Sequence, residues 1–255
     1  MSILDDFSLT GCRAVVTGGG KGIGRGIALC LAEAGADVLV TARTQADVDQ
    51  VAGEIGALGR TGVAHVADVT EDGALAATAE RAANELGGLD IWVNNAGGLP
   101  DGVPRYLTRT ARPEWQAQID LNLTAVWEGS VAAAAQMGDG GSIINISSGA
   151  ARGPSLKNGP YGASKAAVNS LTQTLSVELA PSIRVNALSP GPVPTENFVE
   201  STNYRGERKE MIDKQLRIPL GRIGTERDIG AAAVFLASPA ASWITGQVLL
   251  VNGGR

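Results

Sequence analysis

The chain opens with a repeated alternation: short runs of consecutive apolar residues, then longer stretches in which apolar residues return every three or four positions. The short runs are Arg13–Thr17 (RAVVT), Asp37–Thr41 (DVLVT), about Val63–Val66, and Ile91-Trp92-Val93. Each is too short for a helix and is bounded by small or polar residues, so each reads as a buried strand. Between them, Ile23–Ala34, about Ala46–Leu58 and about Asp72–Leu86 carry helical spacing, the first stopping at Gly35. Three strand–helix units with short connections predict a parallel sheet with helices on both faces. Downstream, the spacing predicts a helix at about Arg112–Gln136 and another, entered through Pro160, at about Ser164–Leu179. A sixth strand at Arg184–Leu188, a helix near Glu226–Ala237 and a last strand at Val248–Val251 complete a seven-stranded sheet.

Two stretches break this pattern. Glu196–Arg217 is polar, charged and only patchily periodic, with Phe198 and Tyr204 as its aromatics. It reads as a mobile substrate lid at about 195–217. Gly98–Pro113 is a long loop carrying Arg105, Arg109 and Arg112, which read as solvated side chains or, in the alternative, as cations that meet an anionic substrate. Neither stretch has the composition of a linker, and residues 1–255 read as a single domain.

The connections carry the chemistry. Gly18-Gly19-Gly20-Lys21-Gly22-Ile23-Gly24 follows the first strand at once and opens the first helix. Glycines allow the tight turn, and the helix N-terminus offers unpaired N–H groups, so a pyrophosphate fits there. In NAD-binding folds an acidic residue at the end of the second strand holds the adenosine ribose. That end is Ala42-Arg43 here, with no acid. Arg43 and Lys21 together would bracket a 2′-phosphate, so NADP is expected ahead of NAD. Asp68-Val69, after the third strand, is placed to reach an adenine edge.

Tyr161 and Lys165 stand four apart near the start of a helix, so they share one face. A phenol titrates near ~10, too high for acid–base work at neutral pH. An ammonium about 4 Å away, at an effective dielectric of about 20, favours the phenolate by roughly 4 kcal/mol, about three pKa units. The pair is therefore expected to form a tuned proton donor and acceptor.

Composition narrows the classes. With 44% hydrophobic and 18% charged residues, the chain can build a sizeable core. A net charge of −5 without any basic run argues against nucleic acid as a partner. Cys12 and Cys30 have no metal-ligand spacing, and His65, the only histidine, lies on a strand as a packing or surface residue. No metal is expected. The acidic start, Met1–Thr10, has no apolar core, and no stretch reaches the ~20 apolar residues needed to cross a bilayer. A cytoplasmic location is expected.

From about Leu9 to Gly254 the chain resembles the short-chain dehydrogenase/reductase family. The matching motifs are TGGGKGIG (Thr17–Gly24), DV (Asp68-Val69), NNAG (Asn94–Gly97), LN (Leu121-Asn122), ISS (Ile146–Ser148) and YGASK (Tyr161–Lys165). RVNALSPGPVPT (Arg184–Thr195) and the closing ITGQVLLVNGG match too. The resemblance implies a Rossmann-type doubly wound α/β fold of strand order 3-2-1-4-5-6-7, and an NAD(P)(H)-dependent oxidoreductase that interconverts a ketone and a secondary alcohol. It implies that Tyr161 exchanges the proton, that Lys165 tunes it and hydrogen-bonds the nicotinamide ribose, and that Ser148 holds the substrate oxygen. It implies too that Asn122 anchors a water leading to Lys165. Gly18, Gly20, Lys21, Gly22, Ile23, Gly24, Arg43, Asp68, Val69, Asn95, Ala96, Gly97, Pro190, Gly191, Val193 and Thr195 complete the implied cofactor site. A homotetramer is implied, with the helices at about Arg112–Gln136 and Ser164–Leu179 at the interfaces and the alanines of 132–135 allowing close approach.

Two alternatives stand beside this reading. A catalytically silent NADP-binding scaffold would be expected to lack one of Asn122, Ser148, Tyr161 and Lys165, and all four are present. A 3-oxoacyl-carrier-protein reductase needs cations at the ends of the two interface helices, to recruit an acidic partner. Here one ends in Gln136-Met137-Gly138-Asp139-Gly140 and the other in Ala180-Pro181-Ser182. A free, fairly bulky ketone, hydroxysteroid-like, is the expected substrate.

Overall fold

The apolar runs become strands because each can be covered on both sides, and in the computed structural model they are β1 (Arg13–Thr17), β2 (Asp37–Ala42), β3 (Gly62–Val66) and β4 (Ile91–Asn94). Three more complete the set: β5 (Gly141–Ile146), β6 (Ile183–Pro190) and β7 (Val248–Val251). The structure describes residues 2–195, 198–199, 205–206, 210 and 214–255, so Tyr204 and most of the expected lid lie outside the described residues. Among the described residues the seven strands form one parallel sheet in the order β3-β2-β1-β4-β5-β6-β7, as expected.

Seven α-helices flank it among the described residues: α1 (Gly22–Glu33), α2 (Gln45–Ala57), α3 (Ala74–Leu86), α4 (Arg112–Ile119), α5 (Ala125–Gln136), α6 (Gly159–Glu178) and α7 (Glu226–Ala237). The apolar stripes of α1, α2 and α7 meet one face of the sheet through Ile27, Leu31, Val51, Ile55, Ile229 and Leu236. α3, α5 and α6 cover the other face through Leu75, Ala79, Ala133 and Leu175. A fully buried leucine or isoleucine in such a layer contributes about 1.5–3 kcal/mol. α1 and α7 cross closely because both carry a glycine at the contact; a Cβ on Gly230 would fall on the Cys30 sulfur.

One expectation changes. The single helix over 112–136 is interrupted by a π turn, Asp120–Thr124, in which the Ala125 N–H reaches the Asp120 carbonyl five residues back. α6 begins at Gly159 with Pro160 as its second residue, as expected, because the fixed φ of Pro160 suits a first helical turn.

The order of strands reverses between β1 and β4, since β2 departs from one side of β1 and β4 lies on the other. At that switch point the connections splay apart beyond the strands' C-terminal ends and leave a crevice. Thr17-Gly18, Asn94-Asn95, Ile146-Ser147 and Pro190-Gly191 all sit at such ends.

Candidate active site

The glycine turn is held from below by β4. Thr17 Oγ1 donates to the Val93 carbonyl and accepts from the N–H groups of Asn95 (2.9 Å) and Ala96 (3.1 Å). Asn95 Nδ2 returns the contact by donating to the carbonyls of Thr17 (2.8 Å) and Gly18 (3.1 Å). Gly18 has φ +63° and lies so near Ala96 that a Cβ would come within 2.9 Å of its Cα. Only glycine serves there. Lys21 caps α1 without a side-chain cap bond, which leaves the first N–H groups of the helix directed into the crevice.

Two adjoining cavities fill the crevice, one of about 370 Å³ and one of about 710 Å³. Gly18, Lys21, Ala96 and Gly97 line both. The smaller reaches Gly22, Ile23, Gly24, Asn95, Ser148, Tyr161, Lys165, Pro190, Gly191 and Thr195; the larger reaches Gly20, Arg43, Asp68 and Val69. These residues fit an extended dinucleotide: a glycine cradle in the middle, a polar mouth at one end and buried hydroxyls at the other. Val193 turns its side chain into the core beside α7, so any contact of its own with a bound group falls to its main chain. Thr195 closes over Gly22, its methyl 3.0 Å from where a Cβ there would stand, and its hydroxyl accepts from the Phe198 N–H.

At the wide end the charges are exposed and loosely paired. Arg43, 76% exposed, lies 3.9 Å from Asp68. Burial pushes the Asp68 carboxyl up, but hydrogen bonds from Thr70 and the Arg43 charge outweigh it and hold the group below its ordinary range. Lys21 Nζ stands 3.5 Å from Asp47 in the first turn of α2. The end of β2 carries no acid, as expected, but the next helix brings Asp47 to the glycine turn, which sequence reasoning missed. Its signal in the sequence is an acidic residue three places beyond Thr44, the α2 cap.

At the narrow end the ionisable groups are buried. Ser147 and Ser148 follow β5, and the two serines differ in use. Both line the cavity, but Ser147 is 2% exposed and donates to the Lys165 carbonyl, whereas Ser148 hydrogen-bonds Tyr161. Lys165 is 2% exposed, donates to the Ile146 carbonyl at 2.7 Å, and has Nζ 5.8 Å from the Tyr161 ring centroid. Burial lowers its pKa to about 8. Burial also pushes the Tyr161 phenol above its ordinary value, with the Ser148 hydrogen bond pulling it back only in part. The phenol is thus raised where a lowering by the ammonium was expected: desolvation is the dominant cause, and the Ser148 hydrogen bond is what opposes it.

Asn122 sits in the π turn, fully buried. Its Oδ1 accepts from the Gly98 N–H (2.8 Å), and its Nδ2 donates to the Gly98 carbonyl (2.9 Å) and to Gln118 Oε1 (3.0 Å). The side chain is thus spent on fixing Gly98. A water anchored by this residue would be left to its main-chain carbonyl, which a π turn can release from the helical ladder. A Cβ on Gly97 would come within 2.9 Å of Asn122 Oδ1 and 3.2 Å of Lys165 Nζ, which brings these two elements to one point. Gln118, which sequence reasoning missed, is four residues before Asn122 and on the same helical face.

Below the site a buried polar chain ties the elements together: Trp92 Nε1 to Asn94 (2.6 Å), Asn94 to Asn145 (2.8 Å), Asn145 to Thr172 (2.9 Å). His65 meets Arg81 on the far edge of the sheet, away from the crevice, as a packed residue. Among the described residues no cluster of three His, Cys, Asp or Glu stands ready for a metal, and no helix is long and apolar enough to cross a membrane.

The model of a family described as enoyl-(acyl carrier protein) reductase matches residues 18–255. The chain is 36% identical over 253 residues to a 7α-hydroxysteroid dehydrogenase of Escherichia coli, covering 98% of this chain and 96% of that one. A solved 7α-hydroxysteroid dehydrogenase, complexed with NADH and 7-oxo glycochenodeoxycholic acid, superposes with a TM-score of 0.89 at 35% identity, covering 100% of this chain and 98% of the other. A short chain dehydrogenase of Burkholderia cenocepacia in complex with NADP superposes with a TM-score of 0.87 at 36% identity, covering 96% and 98%.

Proposed function

The chain belongs to the short-chain dehydrogenase/reductase family, and on that premise we propose that Tyr161, Ser148, Lys165 and Asn122 carry its reaction, with NADP as the preferred cofactor. The activity itself is the NAD(P)-dependent interconversion of a carbonyl and a secondary alcohol. The observation that carries the site reading is the half-buried Tyr161–Ser148 pair beside the buried Lys165, beyond the C-terminal end of β5 and next to the glycine cradle.

The bound nicotinamide supplies or accepts the hydride. The chain's own groups handle the oxygen and its proton. Ser148 and Tyr161 aim two hydroxyls at the substrate oxygen, where negative charge develops as the carbonyl is reduced. Tyr161, kept protonated by burial, gives up its proton there. Lys165, fixed by the Ile146 carbonyl, places its positive charge beside the phenolate that results. Asn122 and Gln118 hold Gly98, and so the wall the nicotinamide would lie against. The glycine turn and the α1 N-terminus would hold a pyrophosphate, Asp68 and Val69 would meet the adenine, and Pro190, Gly191 and Thr195 would meet the carboxamide.

Arg43 and Lys21 support the NADP reading. Asp47 favours a second one, in which its carboxylate takes the ribose hydroxyls and NAD is used. Turnover of a bulky ketone followed at the nicotinamide absorbance with each cofactor, alongside fluorescence titration of NADPH and NADH, decides between them; tighter NADH binding would overturn the NADP reading.

Residues 1–255 form one domain in this reading, acting in the cytoplasm on a small molecule. A homotetramer is supported by apolar side chains left on α5 and α6, with Trp127 and Val131 both 50% exposed and Val177 79% exposed. Light scattering that gave a monomer would remove that part. A free ketone is preferred over an acyl carrier protein because α5 and α6 end without cations.

A further inference from the structure

A third cavity, of about 280 Å³, lies on the other side of the Leu99–Val103 segment, between the start of α4 and the start of α6. Tyr161 belongs to its wall and to the wall of the cleft cavity as well, so a molecule whose oxygen meets Tyr161 has this recess beside it. Its volume corresponds to about nine waters of liquid, and Leu99, Pro100, Val103, Pro113 and Pro160 make most of its lining apolar.

The charges around it are unevenly used. Arg105, which sequence reasoning read as solvated or substrate-facing, is neither: it bridges Asp101 (2.6 Å) and Glu114 (3.0 Å) within the wall. Both carboxylates have a second commitment, Asp101 to the Val103 N–H and Glu114 to the Ala111 N–H. Arg109 lies over the Tyr106 ring at 5.7 Å. Lys157, on the rim, lies over the same ring at 5.3 Å and has no carboxylate partner among the described residues. Lys157 also holds φ +63°, a left-handed conformation that is strained for a non-glycine residue. The strain is fixed from across the recess, where the Arg105 N–H donates to the Lys157 carbonyl at 2.7 Å. Of the four charged side chains that line the recess, Arg105, Asp101 and Glu114 are spent on one another, and Lys157 is left as the cation with no carboxylate partner among the described residues.

We propose that this recess receives the distal part of the substrate, and that the substrate is a ketone with an elongated apolar body ending in a carboxylate or similar anion that Lys157 meets at the rim. The proposal rests on the ketone reductase reading above and names the substrate class for that same site. Lys157 is a specificity-determining residue, remote from the proton chemistry.

The test uses ω-carboxylate aryl ketones from 4-oxo-4-phenylbutanoate to 8-oxo-8-phenyloctanoate, their methyl esters, and acetophenone as the tail-less control. Wild-type enzyme should favour at least one carboxylate over its ester by about tenfold in kcat/KM, the size of one charge-assisted contact. Lys157→Asn, which tolerates the same backbone conformation, should abolish that preference through KM while leaving kcat and acetophenone turnover unchanged, and Lys157→Arg should restore it. Val103→Trp, filling the recess, should raise KM for every long ketone and spare acetophenone. Equal rates for acid and ester in the wild type, or equal losses on all substrates in Lys157→Asn, would overturn the proposal while the reductase reading stood. If acetophenone and every tailed ketone are inert, the reductase reading fails; calorimetric binding of 8-oxo-8-phenyloctanoate to the cofactor-loaded wild type but not to Lys157→Asn would then still support the recess, and equal binding to both would sink it.

Discussion

Two lysines stand at the two ends of one crevice, and they show what burial does to the same chemical group. Lys21 at the wide end is 53% exposed along its side chain and sits 3.5 Å from Asp47. Lys165 at the narrow end is 2% exposed, bonds a carbonyl instead of a carboxylate, and titrates at about 8. Water screens the first, so its charge acts only modestly on what lies near it. The second sits where water is largely excluded, so its charge costs much more to keep. In the proposed reading, charge at the mouth selects the ligand and charge at the base does chemistry.

The sharpest way to break that division is at the buried end. Tyr161→Phe should lower kcat by about a hundred- to ten-thousandfold, the usual worth of a positioned proton donor, with NADPH affinity by fluorescence titration nearly unchanged. Loss of both together would mean that the two ends are not separable. At the exposed end, Arg43→Asp should weaken NADPH binding by about ten- to a hundredfold with little effect on kcat under saturation.

The pH dependence sharpens the comparison further. As pH rises through about 8, Lys165 loses its charge and kcat/KM for ketone reduction should fall by up to about tenfold per unit; a flat profile from pH 7 to 9 would remove the ammonium from the mechanism. The same residue weighs on stability with a definite sign. Its folded pKa lies below the ordinary 10.5, so its contribution is complete above that value and is lost as pH falls through 8. The cost at neutral pH is roughly 3 kcal/mol, and calorimetry of Lys165→Met against wild type should show a Tm difference more favourable to the variant at pH 7 than at pH 10. Smallest of all, Asp47→Asn should strengthen NADPH binding a few-fold, since a screened pair is all it removes. No change would show that Asp47 takes no part in cofactor choice.

How legible each end was depends on how far its contacts run along the chain. The glycine turn is local grammar, strand, glycines and helix in sequence, and the order of the sheet comes from repeating that unit. Asp47 was not legible, because its approach to Lys21 depends on the angle at which α2 leaves β2. Arg105 looked solvated since its partners, Asp101 and Glu114, are only brought together when the loop folds back on α4. Lys157 gave no signal at all: its charge matters through a φ angle that Arg105 imposes from fifty-two residues away. The raised phenol of Tyr161 was misjudged for a related reason. Spacing places a lysine on the same face, but it does not say how much water the fold leaves between them.

The π turn at Asp120–Thr124 was equally silent, as DLNLT has ordinary helical residues. Its geometry makes it a place where the chain has absorbed one extra residue without shifting the phase of α5, because a π turn takes up the surplus within a single wind. α5 therefore keeps Gly129 against Trp92 and Asn94 just as an uninterrupted helix would. A deletion inside a helix ordinarily swings every later side chain round by about 100° and wrecks the core. Removing Leu123 would instead leave a regular helix in register, with Trp92 still covered and Gly98 released from its clamp. That would be a chain one residue shorter that keeps its shape and gives up its trade.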